Sequence, residues 1–140
     1  MLIFDTDHLT EFQKGTSAAA RQLNERLKGA GESYGTSIIS VEEVMRGWMA
    51  AIRRSSDPMR QVNSYRQLRQ LFRFFATWQV LDWTLEAASK FTELRALKIR
   101  TGTMDLKIAC IALTNNATLL SRNRRDYEVI PGLRIEDWLS

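Results

Sequence analysis

One cysteine and one histidine are all that 140 residues carry of either type. Cys110 has no partner for an internal disulfide, and with His8 far away in sequence there is no set of soft ligands for zinc. The same separation argues against a Cys-His nucleophile, and His8, next to Asp7, reads as a surface side chain. With 2 prolines and 7 glycines, the chain has no stretch that reads as a linker, repeat or low-complexity tract. No run resembles a signal peptide or a membrane span, so a soluble protein in a reducing, cytoplasmic setting without a membrane partner is expected. The length suits one domain, residues 1–140, with a core that needs no covalent staples.

What the chain does have is a modest excess of positive charge, 20 basic against 16 acidic residues with a net charge of +4. That balance tolerates an anionic partner without demanding one. The basic residues gather at Arg53-Arg54, at Lys98-Ile99-Arg100 and at Arg122-Asn123-Arg124-Arg125, the last two close in sequence to Asp105 and Asp126.

The first residues, Met1-Leu2-Ile3-Phe4, form a short apolar run that reads as a buried strand ending in Asp5. A helix is expected over Ala18–Lys28, ended by Gly29 and Gly31, and then a strand over Tyr34–Ile39. Ser40 reads as the N-cap of a helix to about Arg54, with Val41, Val44, Met45, Trp48, Ala51 and Ile52 on its apolar face. Pro58 fits the first position of the next helix, which runs to about Trp78. A short strand at Gln79–Trp83 precedes a helix begun by Thr84, and Thr103 reads as the cap of another that continues to Thr114. Ala117–Ser121 is a buried-looking strand, and a last short one surrounds Leu133–Ile135. Strands alternating with helices indicate an α/β fold with a mainly parallel central sheet of about four to five strands flanked by helices.

Three acids stand at the edges of these elements. Asp5 follows the first strand, where ligands of open α/β sheets bind, although an Asp there can also cap a helix. Asp105 shares a helix face with Ile108, Ala109 and Ala112, which should point inward; a carboxylate there is costly unless a cation or donors meet it. Glu43 is ambiguous, because Ser40-Val41-Glu42-Glu43 also spells a capping box. Glu42 falls nearer Arg46 and reads as a solvated acid. If Asp5, Glu43 and Asp105 converge above the sheet, a set of hard oxygens without histidine or thiolate favours Mg²⁺ or Mn²⁺.

At these residues the chain resembles the PIN domain nucleases, specifically the VapC-type toxins of bacterial toxin-antitoxin pairs. The similarity lies in Leu2–Asp7 with its Asp5-Thr6-Asp7, in Ser37–Gly47 with Glu43 four residues before the glycine, and in Gly102–Ala109 with Asp105. It continues through Ala117–Tyr127 and on to Trp138. The resemblance implies a PIN-like fold and an Mg²⁺- or Mn²⁺-dependent endoribonuclease that is neutralised by a cognate antitoxin and forms a homodimer. It makes Asp5, Glu43 and Asp105 the metal-binding catalytic acids, with Thr6, Asp7 and Ser121 in support. Many relatives carry a fourth acid where this chain has Asn123, so either Asn123 or Asp126 completes the site. Arg100, Lys107, Arg122, Arg124 and Arg125 are the expected RNA contacts. Two other readings remain. One is a phosphatase of the haloacid-dehalogenase kind, which also opens with Asp-x-Asp but wants a threonine where Leu9 stands. The other is a catalytically silent RNA-binding or partner-binding module.

Overall fold

The computed structural model describes residues 1–140. Five strands, β1 (Leu2–Phe4), β2 (Tyr34–Ser37), β3 (Val80–Leu81), β4 (Thr118–Leu120) and β5 (Arg134–Glu136), form one sheet in the order β3-β2-β1-β4-β5. Every neighbouring pair is parallel. The helices are α1 (Thr6–Lys14), α2 (Ala18–Ala30), α3 (Ile38–Arg53), α4 (Pro58–Ala76), α5 (Leu85–Ala96), α6 (Thr103–Thr114) and the single turn α7 (Arg124–Tyr127). The α/β class with a parallel sheet is as the alternating pattern predicts. No helix is long and apolar enough to cross a membrane.

β1 is apolar throughout because both of its faces are covered, the usual condition of a central parallel strand. Ile3 packs on one side with Leu119, Ile108, Ile111 and Ala112, whereas Leu2 and Phe4 pack on the other with Leu9, Leu23, Leu120 and Trp138. Phe4 also meets Phe12, Tyr34 and Trp78 at ring separations of 5.8, 5.4 and 5.2 Å. Of α4 only Leu71 is fully buried and Phe74 and Phe75 pack at the margin of the core, whereas Met59, Val62, Tyr65 and Phe72 stay exposed. The expectation that its apolar residues are simply core holds for a minority of them.

Chain order brings β2 and then β3 to one side of β1, and β4 and then β5 to the other. The direction of winding thus reverses between β1 and β4. Open α/β sheets place their ligands at such a reversal, outside the carboxyl ends of the strands. Asp5 and Ser121, just past the ends of β1 and β4, meet there at 2.6 Å.

The helix starts correct two expectations. α3 begins at Ile38, not after Ser40: Ser37 is its N-cap, and the Ser37 hydroxyl accepts the Ser40 amide at 3.1 Å. Glu43 is thereby released from any capping box. α6 is capped by Gly102 without a side-chain bond, so Thr103 is its first residue and not its cap. Asp57 caps α4 with Pro58 at its first turn, and Thr84 caps α5.

Gly35 shows why β2 has no side chain midway. A Cβ there would stand 2.5 Å from the Gln79 carbonyl oxygen, on the strand's neighbour at the sheet edge. Since that oxygen also receives the Thr36 amide at 3.0 Å, it has no room to retreat. Gly35→Ala is expected to lower stability by about 1–3 kcal/mol, the range for overpacking. Urea unfolding measures it.

Candidate active site

The carboxyl end of the sheet brings together carboxylates from three elements. Asp5 ends β1 and is buried at 6% exposure, Glu43 lies on the second turn of α3, and Asp105 opens α6. Asp5 serves two ends at once: one carboxylate oxygen accepts the Thr6 amide at 2.8 Å as N-cap of α1, and the other accepts the Ser121 hydroxyl at 2.6 Å. Glu43 accepts the Thr6 hydroxyl at 3.1 Å. Asp105 accepts the Tyr127 hydroxyl on one oxygen and the Asn123 amide on the other, both at 3.2 Å. The same Asn123 amide nitrogen donates to Asp126 at 3.0 Å.

These carboxylates sit in each other's field, Asp5 buried and Glu43 and Asp105 partly shielded from water. Burial pushes the Asp5 carboxyl up to about 6, and the neighbouring Asp7 and Asp105 push the same way. Glu43 is raised by burial, then by Asp105 and Glu42, and Asp105 by burial, then by Asp126 and Asp7. Burial among Asp5, Asp105 and Glu43 also drives the Tyr127 hydroxyl far above its ordinary value, so it is a fixed donor. None of the ion pairs of the chain involves Asp5, Glu43, Asp105 or Asp126. Their charge is met only by neutral donors, which leaves a concentrated negative potential at the carboxyl end of the sheet. No three of the chain's acids stand at the spacing of a shared metal site. The donor set, carboxylate oxygens with an amide and hydroxyls around them, is nonetheless that of a hard divalent cation such as Mg²⁺ or Mn²⁺.

The remaining predicted residues sort by geometry. Thr6 and Ser121 orient Glu43 and Asp5, as described. Asp7 has both oxygens engaged: one meets the His8 ring at 2.7 Å and the other accepts the Arg122 amide at 2.9 Å. That occupation also removes the second acid that a phosphatase of the haloacid-dehalogenase kind would need, and Leu9 is core. Glu42 pairs with Arg46 at 2.6 Å, on the solvent side of α3. Arg100, Arg122, Arg124 and Arg125 are exposed and enter no ion pair. Lys107 differs: its ammonium lies over the Trp83 ring, 5.7 Å from the centroid, and is spent there.

The expectation of a surface His8 is overturned. The ring is fully buried. Its second nitrogen meets the backbone amide of Trp138, 130 positions away, a partner that no local pattern announces. Tyr127 was likewise absent from the expected site; its only sequence signal is its place beside Asp126.

No family model matches the chain. A stretch of 69 residues is 38% identical to the tRNA(fMet)-specific endonuclease VapC of Salmonella typhimurium, spanning 46% of this chain and 52%, about half, of that relative. Among solved structures, the DNA-bound VapBC of Salmonella typhimurium is 27% identical with a TM-score of 0.69, covering 98% of this chain and 97% of the other. VapBC-1 of nontypeable Haemophilus influenzae, 23% identical, gives a TM-score of 0.73 over 99% and 98%, and VapBC2 of Rickettsia felis, 21% identical, gives 0.71 over 98% of each chain. The last two speak for the fold alone. In strand order and in overall course the chain shares the fold of these VapBC toxin-antitoxin structures, and over half of the Salmonella VapC endonuclease its sequence is similar as well.

Proposed function

We propose that this protein is a divalent-metal-dependent endoribonuclease and the toxin of a toxin-antitoxin pair. The observation that carries the reading is that Asp5, Glu43 and Asp105, from three elements at the carboxyl end of the sheet, lie within one another's field with no basic group paired to any of them. Such a charge calls for a cation, and Asp5, Glu43 and Asp105 would hold Mg²⁺ or Mn²⁺, with Asn123 or Asp126 at the margin. When bound, the ion lowers the pKa of a water and offsets charge on the attacked phosphate. The protein's own part is to keep its oxygens aimed: Ser121 and the Thr6 amide fix Asp5, the Thr6 hydroxyl fixes Glu43, and Tyr127 and Asn123 fix Asp105. Arg122, Arg124, Arg125 and Arg100 bind backbone phosphates on either side of the scissile bond.

The partners follow from the surface and from the relatives. On α3, Ile38, Met45 and Met49 line an apolar groove edged by the Glu42–Arg46 pair, with Arg53 and Arg54 beyond. An acidic, amphipathic antitoxin segment suits that groove, and the solved relatives are VapBC complexes. A homodimer in the cytoplasm completes the reading.

The experiment is cleavage of purified tRNA(fMet) and of total RNA with millimolar Mg²⁺, with Mg²⁺ replaced by Ca²⁺, and with EDTA. Fragments are expected with Mg²⁺ or Mn²⁺ and none with EDTA. Cleavage that persists in EDTA, or no cleavage of any RNA with metal, overturns the proposal.

A further inference from the structure

His8 is the only imidazole in the chain and it is fully enclosed. One of its nitrogens, Nε2, lies 3.0 Å from the backbone nitrogen of Trp138. A backbone N–H can only donate, so Nε2 is an acceptor and carries no proton. The proton is therefore on Nδ1, which donates to Asp7 at 2.7 Å. The protein thus fixes one tautomer out of two.

Both ends of this imidazole lead somewhere. On the Nε2 side is the segment 137–140, seated firmly: Trp138 and Leu139 are buried in the cluster of Leu2, Phe4 and Leu9. Arg26 stacks over the Trp138 ring at 4.7 Å and donates to the Asp137 carbonyl at 3.1 Å. On the Nδ1 side is Asp7, whose other oxygen accepts the Arg122 amide at 2.9 Å. Arg122 stands between the two residues that orient acids. Ser121 donates to Asp5, and Asn123, whose amide donates to the Ser121 hydroxyl at 3.0 Å, donates through its side chain to Asp105. No other side chain holds the backbone of residue 122.

We propose that His8 is a positioning residue of the acid site, holding Asp7 so that the loop Ser121–Asn123 keeps Asp5 and Asp105 aimed, with the segment 137–140 as its anchor. In this role the imidazole touches no substrate. It acts through Asp7, and Asp7 acts through the Arg122 amide. The role as stated rests on the nuclease reading, whereas the hydrogen-bonded chain itself does not. Residues that orient metal-binding groups in this indirect way typically affect activity by about 10- to 100-fold.

The test separates the two. In the unaltered protein, an imidazole ¹⁵N spectrum has one histidine to report, and the Nδ1–H tautomer is expected; an Nε2–H tautomer overturns the chain at its first link and needs no variant. Then His8→Asn, whose amide reaches the place of Nδ1, is compared with His8→Leu, which has no donor. Hydrogen exchange at the Arg122 amide is expected to rise about tenfold or more in His8→Leu and to stay near the original in His8→Asn. In RNA cleavage, kcat is expected to fall about tenfold in His8→Leu with KM nearly unchanged, and His8→Asn is expected to recover most of it. Equal exchange at Arg122 in both variants overturns the proposal, as does a loss that appears in KM and not in kcat. If the unaltered protein cleaves no RNA, the nuclease reading fails, and the tautomer and the exchange rates still judge the chain from His8 to Arg122.

Discussion

Asp5→Asn yields a protein that melts higher than the original without metal at pH 8 and cleaves RNA on the order of a hundredfold more slowly, the scale of losing one preorganised charged group. Burial and the neighbouring Asp7 and Asp105 raise the Asp5 carboxyl from 3.8 to about 6. The folded state therefore prefers this group protonated more strongly than the unfolded chain does. Stability from this group is greatest below about pH 4, declines as pH rises, and above about pH 6 reaches a deficit of roughly 3 kcal/mol. Asparagine removes the deficit while keeping the shape. Its oxygen can still accept the Thr6 amide, and its amide can donate to the Ser121 oxygen. The freed Ser121 hydroxyl finds Asp7 at 3.5 Å. Melting curves at pH 5 and pH 8, with and without Mg²⁺, measure both halves. The original protein should gain more from Mg²⁺ at pH 8 than at pH 5, and the variant should gain little at either. A variant that melts no higher at pH 8, or that cleaves at the original rate, contradicts this account.

Asn123→Asp tests the other margin of the acid cluster. The Asn123 amide now bridges Asp105 at 3.2 Å and Asp126 at 3.0 Å, one neutral donor between two like charges. An aspartate there loses both bonds and sets a third negative charge among them. The metal-free protein should lose about 1–3 kcal/mol, the cost of stranding partly buried polar groups. Divalent ions should reverse the order. With an added charged oxygen, the Mn²⁺ dissociation constant is expected to fall roughly tenfold, because charge count sets affinity at such sites. Melting without metal and calorimetric titration with Mn²⁺ are the two measurements. If both are unchanged, position 123 lies outside the cation's reach and Asp126 is the residue to test next.

The two variants mark how far the residues could be read directly. Asp5, Glu43 and Asp105 are legible because each stands at an element edge set by local pattern: an apolar run, a helix face, a row of small residues. The start of α3 is harder, because Ser37 and Ser40 both precede a helical run at cap spacing. Only the fold shows that Ser37 takes the cap and leaves Glu43 to Thr6. Lys107 carries the right charge in the right region, yet a ring from another element, Trp83, claims it. From sequence His8 is misread as a surface side chain, and Tyr127 is not signalled as part of the site. Their partners are a backbone amide and a carboxylate brought by distant segments, and neither leaves a periodicity to detect.

The central place of β1 also sets a clock. β1 pairs with β2 on one side and with β4 on the other, and the Asp5–Ser121 bond spans 116 positions. At roughly 5–20 residues per second of synthesis, the first strand exists for several seconds before its second neighbour is made. Through that interval Asp5 has neither Ser121 nor the wall of α6 beside it. A growing chain therefore carries the acids but no site, and the ribosome that makes it works beside an incomplete centre until β4 has closed the sheet.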